Sequence, residues 1–209
     1  MLKTFYNKDF LEAGIDEAGR GPMFGRVYTA AVIIPQDGTF QQSFIKDSKK
    51  LSEKNRNQAF EFIKENAIDW SVTWKDEKYI DNRNIYNSTF DSMHTSLDNL
   101  RVRPEYILVD GSDFQIYTHN CEIIPHRCVI KGDNYYSSIA AASILAKVSR
   151  DNYIIEMCDK YPLLDEYYDL RNNKGYGTKK HMEGIKHYGI SQWHRKSFGI
   201  CKNSKIKCF

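Results

Sequence analysis

The sequence predicts an α/β fold: a mixed five-stranded sheet flanked by helices, with a small helical appendage at the C-terminus. Five short apolar or β-branched runs, bounded by Gly, Pro or charged residues, are typical of strands. Longer segments repeat apolar residues at helical spacing. With 209 residues, 41% of them hydrophobic, the chain is large enough to bury one sizeable core. We expect this core over residues 1–160, with an appendage over residues 161–209 packed on it.

The first two predicted strands, residues 10–16 and 27–34, are joined by a short glycine-rich connection, which predicts an antiparallel pair. Two more strands are predicted over residues 69–75 and 106–109, and a fifth is predicted within residues 123–130. Apolar and β-branched residues dominate these runs or alternate with polar ones. Together with the helices between them, the strands predict a mixed α/β sheet.

Helices are predicted between and after these strands. One begins at Ser52, whose hydroxyl can cap the first turn. Two more are predicted over residues 80–100 and 134–158, and a short one over residues 179–188. The first half of the segment 134–158 is rich in alanine, so we expect this helix to lie close against a sheet.

Carboxylates stand at the ends of three predicted strands. Asp16 and Glu17 close the first strand, Asp110 follows the fourth and Asp133 follows the fifth. Taken singly, Asp110 fits a turn and Asp133 fits a helix N-cap. Because neighbouring strand ends meet at one edge of a sheet, we expect the acids to form one cluster. Like charges in a cluster repel each other unless cations bind, and oxygen ligands favour Mg²⁺ or Mn²⁺.

A glycine-rich turn with one arginine follows the first two acids. Because Asp16 and Glu17 would face opposite sides of a regular strand, we expect the backbone to turn at Glu17. Backbone N–H groups at Gly19 and Gly21 can approach a phosphate or a sugar closely. A dinucleotide-binding fingerprint is excluded, because Phe24 stands where its third glycine would be and a strand follows.

The net charge of +3 says little about binding partners. Basic residues are, however, concentrated in the stretch 174–207, whose single acid is Glu183. This pattern indicates either a polyanion-binding patch or a solvated, lysine-rich tail. The histidines of this stretch are expected at the surface or near phosphates rather than at a metal. They are His181, His187 and His194.

Five cysteines without a C-x-x-C pair argue against a disulfide framework and for a reducing compartment. No apolar run is long enough to span a membrane, and the N-terminus lacks the apolar core of a signal peptide. We therefore expect a cytoplasmic protein.

Seven ordered motifs link these features. They are DEAGRGP at 16–22, DSKKLS at 47–52, LVDG at 108–111, KGD at 131–133, IAAASILAKV at 139–148, Gly175-Tyr176 with Thr178, and His194-Arg195 with Ser197-Phe198. In their order and spacing the chain resembles the ribonuclease HII family, the type 2 ribonucleases H, over nearly its whole length. The resemblance implies a ribonuclease-H-like fold.

The resemblance also implies a chemistry. It implies an endoribonuclease that hydrolyses the phosphodiester 5′ of a ribonucleotide, in RNA–DNA hybrids or in DNA duplexes with embedded ribonucleotides. The products would carry 3′-hydroxyl and 5′-phosphate ends. Two divalent ions, Mg²⁺ or Mn²⁺, would stand about 3.5–4 Å apart. The implied catalytic and metal-binding residues are Asp16, Glu17, Asp110 and Asp133. We expect a monomer that acts without a membrane.

By the same resemblance, a loop reads the ribonucleotide and a tyrosine packs on its sugar. These substrate-binding residues are Gly19, Arg20, Gly21 and Tyr176. Gly177 replaces the proline usual in the family, so Tyr176 lies on a more flexible turn. Three further basic residues are expected near backbone phosphates. They are Lys49, Lys147 and Arg195.

Two other interpretations are open at this point. Another metal-dependent nuclease on a ribonuclease-H-like fold, such as a junction resolvase or a DNA endonuclease, would share the acids. It would not need Tyr176 or the Gly-Arg-Gly turn. A non-catalytic module could bind nucleic acid through the basic stretch, but it gives no reason for acids at three strand ends.

Overall fold

The computed structural model describes residues 2–45 and 52–207 of the chain. Its strands are β1 (Glu12–Ala18), β2 (Val27–Ile33), β3 (Asp69–Lys75), β4 (Tyr106–Asp110), β5 (Thr118–His119), β6 (Glu122–Ile123) and β7 (His126–Val129). Its α-helices are α1 (Glu53–Asn66), α2 (Glu77–Asp98), α3 (Ser137–Lys160), α4 (Leu163–Tyr168), α5 (Leu170–Asn173) and α6 (Lys179–Tyr188). Short 3₁₀ turns cover Gln42–Phe44, Gly132–Asn134 and Gly199–Asn203.

The central sheet has five strands in the order β3-β2-β1-β4-β7. β1 pairs antiparallel with β2 and parallel with β4, and β4 pairs parallel with β7, so the sheet is mixed as the sequence predicts. The parallel pairs bring the C-terminal ends of β1, β4 and β7 to one edge. This edge is where open α/β sheets place their ligand sites.

The stretch 123–130, expected to contain the fifth strand, holds β7 and also the end of a hairpin. Asn120 and Cys121 adopt positive φ values of 51° and 66°, so the chain turns back there and β5 pairs with β6 in a separate small hairpin. Pro125, which has no N–H group to donate, then separates β6 from β7. Only the second half of the predicted run therefore joins the central sheet.

Helix boundaries agree closely with the sequence pattern. Ser52 caps α1 by accepting a hydrogen bond from the Asn55 N–H at 3.2 Å. α6 has the predicted bounds. α2 begins three residues before the predicted start, since Asp76 supplies its cap, and Asn84 interrupts it with a φ of 62°. Asp133 does not cap α3, because the N-cap position belongs to Tyr136.

The sheet is covered on both faces. On one face Ala30 and Val32 pack against α1 and α3, and on the other Ala31 and Ile33 pack against α2. Gly14 of β1 leaves no room for a side chain, because a Cβ there would overlap the backbone of α3. The alanine-rich half of α3 therefore lies directly on β1, as expected, and places its side chains close to the end of that strand.

The C-terminal helices share an apolar cluster with the segment that joins β1 to β2. This cluster includes Phe24 and Tyr28 from the core and Leu164, Tyr168 and Ile185 from the appendage. The division into a core over 1–160 and an appendage over 161–209 stays a prediction. Among the described residues, no helix is long and apolar enough to cross a membrane.

Candidate active site at the ends of β1 and β4

A cavity of about 390 Å³ lies at the C-terminal ends of β1 and β4. It is bounded by the segment after β1, by one side of α3 and by the loop before α6. Its lining residues are Asp16, Glu17, Ala18, Gly19, Arg20, Gly21, Arg56, Asp110, Ser143, Ile144, Lys147, Arg150 and Tyr176. Most of the residues singled out from the sequence therefore meet in one place.

Asp16 is the most buried acid on this cavity, with 4% of its surface exposed. Its carboxylate accepts hydrogen bonds from the Glu17 N–H at 2.7 Å and from the Ser143 hydroxyl. Burial, together with the negative charges of Glu17 and Asp110, raises the pKa of Asp16 well above its ordinary value. The folded chain therefore concentrates negative charge here that its own hydrogen bonds do not fully offset.

Glu17 reaches the cavity without the expected backbone turn. β1 stays paired with β2 through Ala18, and the chain turns only at Gly19, whose φ is 94°. The prediction of a turn at Glu17 is therefore wrong. Asp16 and Glu17 alternate across the strand, but both line the cavity because it lies at the strand end. Burial raises the pKa of Glu17, and an ion pair with Arg20 at 3.3 Å opposes this rise.

Asp133 is buried in the 3₁₀ turn after β7 and is not among the residues that line the cavity. It is tied to the site through its neighbour, because the Gly132 N–H donates to Oδ1 of Asp110 at 2.6 Å. In the described ranges no three Asp, Glu, His or Cys side chains are grouped closely enough to hold a metal ion as they stand. The structure thus brings Asp16, Glu17 and Asp110 to one cavity and leaves Asp133 at its margin.

The chemistry of these donors fits a hard divalent cation. The acids on the cavity offer only carboxylate oxygens, which Mg²⁺ and Mn²⁺ prefer over the nitrogen and sulfur ligands typical of zinc. A cation would also offset the repulsion that raises the pKa of Asp16. The residues that could hold metal are therefore Asp16, Glu17 and Asp110, with Asp133 beside them.

The glycine-rich loop and Tyr176 lie next to each other on the cavity. A Cβ placed on Gly21 would lie 3.5 Å from Cε1 of the Tyr176 ring. Nearly half of Tyr176, 48%, is exposed, so one face of the ring is open to a ligand. The backbone at Gly19 has no space for a side chain, because a Cβ there would overlap Nε of Arg150. The predicted sugar-reading residues therefore form one wall of the same site as the acids.

The three basic residues predicted near phosphates differ in their positions relative to the cavity. Lys147 lines the cavity and forms an ion pair with Asp151 at 2.5 Å, while burial lowers its pKa. Lys49 lies outside the described residues. Arg195 is fully buried and does not line the cavity.

The prediction that Arg195 contacts a phosphate therefore needs correction. Its guanidinium donates to the carbonyl oxygens of Gly19 at 2.6 Å, Arg20 at 3.0 Å and Gly25 at 2.8 Å. Burial lowers the pKa of Arg195 to about 9. These three carbonyls occupy the planar fork of the guanidinium. Arg195 thus supports the loop from behind, and a phosphate has no access to it.

Sequence reasoning missed three residues of the site: Arg56, Ser143 and Arg150. Ser143 stands one helical turn before Lys147, and this spacing could have identified it. Arg150 is 1% exposed, and its guanidinium donates to the carbonyls of Phe24 and Arg26, both at 3.3 Å. Nothing in the local sequence signals that this arginine is buried.

The histidines of the basic stretch also differ from expectation. His187 is exposed, as expected, but His181 and His194 are completely buried. They contact each other rather than solvent, with their Nε2 atoms 3.0 Å apart. The expectation that they lie at the surface or near phosphates is therefore wrong.

Comparison with known proteins decides the family. The family model described as Ribonuclease HII matches residues 13–201. The chain belongs to the ribonuclease HII family. A ribonuclease HII of Bacteroides thetaiotaomicron is 45% identical over 206 residues, which cover 99% of this chain and 98% of that protein.

Solved structures agree with this assignment. The ribonuclease H2 of Pyrococcus horikoshii OT3 superposes with a TM-score of 0.76 at 26% identity, covering 92% of this chain and 95% of the other. A Bst ribonuclease HIII, solved in complex with Mn²⁺, shares the fold with a TM-score of 0.61 at 17% identity, covering 84% and 69%.

As a ribonuclease HII family member, the chain has a ribonuclease-H-like fold and is an endoribonuclease of the ribonuclease H type. The predicted fold class, family and enzyme class are confirmed. The assignment does not favour the junction resolvase or DNA endonuclease alternative.

Proposed function

We propose that this endoribonuclease hydrolyses the phosphodiester 5′ of a ribonucleotide, both in RNA–DNA hybrids and in DNA duplexes with embedded ribonucleotides. The products carry 3′-hydroxyl and 5′-phosphate ends. One observation carries the proposal: the carboxylates and the facing pair of Gly21 and Tyr176 line the same cavity. An enzyme that cuts only beside a ribonucleotide needs its reacting groups next to the groups that recognise the sugar.

Sugar recognition rests on Gly21 and Tyr176. The 2′-hydroxyl is the group by which a protein distinguishes RNA from DNA at a given site. Because Gly21 has no Cβ, the loop backbone can approach this hydroxyl, while the exposed ring of Tyr176 packs against the sugar. Gly19 and Arg20 complete the loop, and Arg195 fixes their carbonyl oxygens from behind.

Metal binding rests on the acids, and we propose that Asp16, Glu17, Asp110 and Asp133 hold two divalent ions, Mg²⁺ or Mn²⁺. Such ions, when bound, make a water molecule more acidic and stabilise the negative charge of the leaving 3′-oxygen. The all-oxygen donor set and the raised pKa of Asp16 support this. The Mn²⁺ in the related ribonuclease HIII structure is consistent with it.

The surrounding residues orient the acids and attract the substrate. The Ser143 hydroxyl fixes Asp16, and Arg20 balances part of the charge on Glu17. Lys147 and Arg56 line the same cavity and place positive charge where a phosphate backbone enters. Lys147 and Arg56 therefore attract the substrate, and Gly21 and Tyr176 select it by its sugar.

A substrate comparison tests the proposal. Purified protein is incubated with four labelled duplexes: RNA–DNA hybrid, all-RNA, all-DNA, and DNA with one ribonucleotide. Each is tested with Mg²⁺, with Mn²⁺ and with chelator. We expect cleavage only of the hybrid and the single-ribonucleotide duplex, only with metal, and on the 5′ side of the ribonucleotide. Cleavage of all-DNA branched substrates at a comparable rate would instead identify a resolvase-like nuclease.

We further propose that the protein acts as a monomer in the cytoplasm, on nucleic acid and without a membrane. The acids, the loop and Tyr176 of one chain line one cavity, so no second copy is needed to complete the site. Light scattering of the active protein tests this point. A dimeric mass that persists on dilution would contradict it.

A further inference from the structure

Two completely buried histidines lie next to the loop that carries Tyr176. His181 belongs to α6, and His194 belongs to the loop that follows this helix. Both have 0% of their surface exposed, and their Nε2 atoms are 3.0 Å apart. The distance is that of a hydrogen bond, so one Nε2 atom carries a proton and the other accepts it.

The partners at the two ends of this pair fix its direction. Nδ1 of His181 lies 2.9 Å from the carbonyl oxygen of Tyr176, which can only accept, so this Nδ1 carries a proton. Nδ1 of His194 lies 2.8 Å from the Ser191 hydroxyl oxygen and 3.0 Å from the Ser191 backbone N–H. The hydroxyl can donate or accept, but the N–H can only donate, so this Nδ1 is an acceptor. Each neutral imidazole has one N–H group, so His194 donates through Nε2 to the bare Nε2 of His181.

The result is a directional chain of hydrogen bonds that ends on the sugar-stacking residue. It runs from the Ser191 N–H through two neutral imidazoles to the carbonyl oxygen of Tyr176. Charging either ring would put a second proton between the two Nε2 atoms or on the acceptor Nδ1 of His194, and either change would break the chain. Burial lowers the pKa of both histidines, which agrees with two neutral rings.

The residue that follows His194 holds the glycine-rich loop in place. Arg195 donates to the carbonyl oxygens of Gly19 and Arg20 through its guanidinium. Its own backbone N–H donates to the Met23 carbonyl at 2.8 Å, and the Met23 N–H donates to the Gly175 carbonyl at 2.9 Å. The dipeptide of His194 and Arg195 therefore connects to both the glycine-rich loop and the tyrosine loop.

We propose that His181 and His194 are positioning residues for ribonucleotide cleavage. Their chain of hydrogen bonds, which we call the histidine relay, holds the backbone of Tyr176 at a fixed distance from Gly21. Arg195 holds the glycine-rich loop to which Gly21 belongs. Gly177 follows Tyr176 and has no side chain to restrict the backbone, so this tyrosine loop depends more on outside support. The inference rests on the proposed function, because the distance between Tyr176 and Gly21 matters only to an enzyme that recognises a ribose.

The first test is independent of activity. Two-dimensional ¹⁵N–¹H spectra of the intact protein report the tautomer of each histidine, with assignments taken from His181→Phe and His194→Phe. At neutral pH we expect His181 in the Nδ1–H form, His194 in the Nε2–H form, and neither charged. The opposite tautomers, or a charged ring, would overturn the relay even if the enzyme cleaves as proposed.

The second test separates positioning from simple packing. We measure kcat/KM on the single-ribonucleotide duplex for His181→Phe, for Tyr176→Ala and for the double variant. His187→Phe makes the same chemical change on the exposed side of α6 and serves as the matched control. We expect His181→Phe to lower kcat/KM at least about tenfold, since small misplacements near a reacting centre cost up to about 100-fold.

The double variant decides the mechanism. If His181 acts through Tyr176, the double variant is no slower than Tyr176→Ala alone. Multiplied losses, or a loss equal to that of His187→Phe, would overturn the proposal. Thermal melts establish that each variant is folded. If His181→Phe is not, the spectra of the wild-type protein, assigned from His194→Phe, still decide the relay. Wild-type protein that fails to cut at the ribonucleotide would contradict the proposed function, whereas the tautomers seen in the spectra do not depend on cleavage.

Discussion

Asp16 and Asp110 stand level with each other on neighbouring parallel strands, because Ile15 of β1 pairs with Val109 of β4 one residue earlier. This register is set by apolar pairs that face the core, so the carboxylates are brought together by packing. The charges of Glu17 and Asp110 both raise the pKa of Asp16. The site therefore lowers the stability of the metal-free protein, and this loss can be measured.

Replacement of Asp16 by asparagine should stabilise the metal-free protein while it abolishes cleavage. A carboxyl whose pKa is raised on folding destabilises the native state as the pH rises from its ordinary value to its folded value. Asp16→Asn removes this effect, so we expect a higher Tm at neutral pH, by about 2–4 °C for each kcal/mol relieved. Thermal melts in chelator check this. Asp9→Asn, at an exposed position, is the matched control and should leave Tm unchanged. A lower Tm for Asp16→Asn would contradict the electrostatic argument.

Divalent cations should stabilise the wild-type protein through the same acids. A ligand that binds only the native state raises the free energy of unfolding with its concentration. We expect Mg²⁺ or Mn²⁺ to raise the Tm of wild type and of Asp9→Asn, but much less that of Asp16→Asn. Melts across a metal titration, with matched ionic strength, measure the difference. Equal shifts in all three proteins would show that the cation binds elsewhere.

Sequence patterns predicted several elements well, since each depends on local chemistry, and they named three acids that line the cavity, Asp16, Glu17 and Asp110. Residues 69–75 and 179–188 have the bounds expected from alternation and helical spacing. The fifth strand, expected within residues 123–130, is β7, but the hairpin of β5 and β6 before it was not predicted, because its turn needs a positive φ at Cys121, which cysteine rarely adopts. The ends of strands and helices therefore depend on tertiary contacts, which a sequence pattern does not contain.

Arg195 shows most clearly what the sequence could not reveal. A buried guanidinium requires acceptors for its donors, and here the acceptors are carbonyls of Gly19, Arg20 and Gly25, far away in the chain. A basic residue in a basic stretch gives no sign of this environment. The buried pair of His181 and His194 was hidden for the same reason.

Acid should destabilise the protein through this histidine pair. Burial lowers the pKa of His181, and burial together with His181 lowers that of His194 well below its ordinary value. Both rings stay neutral when folded, so their contribution is complete above about pH 6.5, the unfolded value, and is lost as the pH falls.

Urea unfolding across this pH range measures the effect. We expect the free energy of unfolding to decline more steeply with falling pH in wild type than in His194→Phe, which keeps only one of the two buried histidines. His187→Phe, which removes an exposed histidine, should keep the wild-type slope. Parallel curves for wild type and His194→Phe would mean that the pair does not resist protonation.

Gly19 and Gly38 provide a matched test of why the loop needs glycine. Both have strongly positive φ values, 94° and 86°, so alanine at either position strains the backbone by about 1–2 kcal/mol. A Cβ at Gly38 meets no atom within 4 Å, but one at Gly19 overlaps Arg150. We expect Gly19→Ala to lower Tm clearly more than Gly38→Ala and to lose activity, while Gly38→Ala stays active. Equal losses of Tm would show that Arg150 moves aside easily.

Gly21→Ala should reduce ribonucleotide cleavage without harming the fold. The backbone at Gly21 needs no positive φ, and its Cβ would stand 3.5 Å from the Tyr176 ring, an ordinary contact distance. The added methyl group therefore fits the free protein, but it covers the Gly21 backbone that the proposed 2′-hydroxyl must approach. We expect a Tm within about 2 °C of wild type, since the change costs little, and a KM for the single-ribonucleotide duplex raised about tenfold or more. Steady-state kinetics beside a thermal melt check both parts. An unchanged KM would mean that the sugar does not approach the Gly21 backbone, because the methyl group covers this backbone while leaving the carboxylates in place.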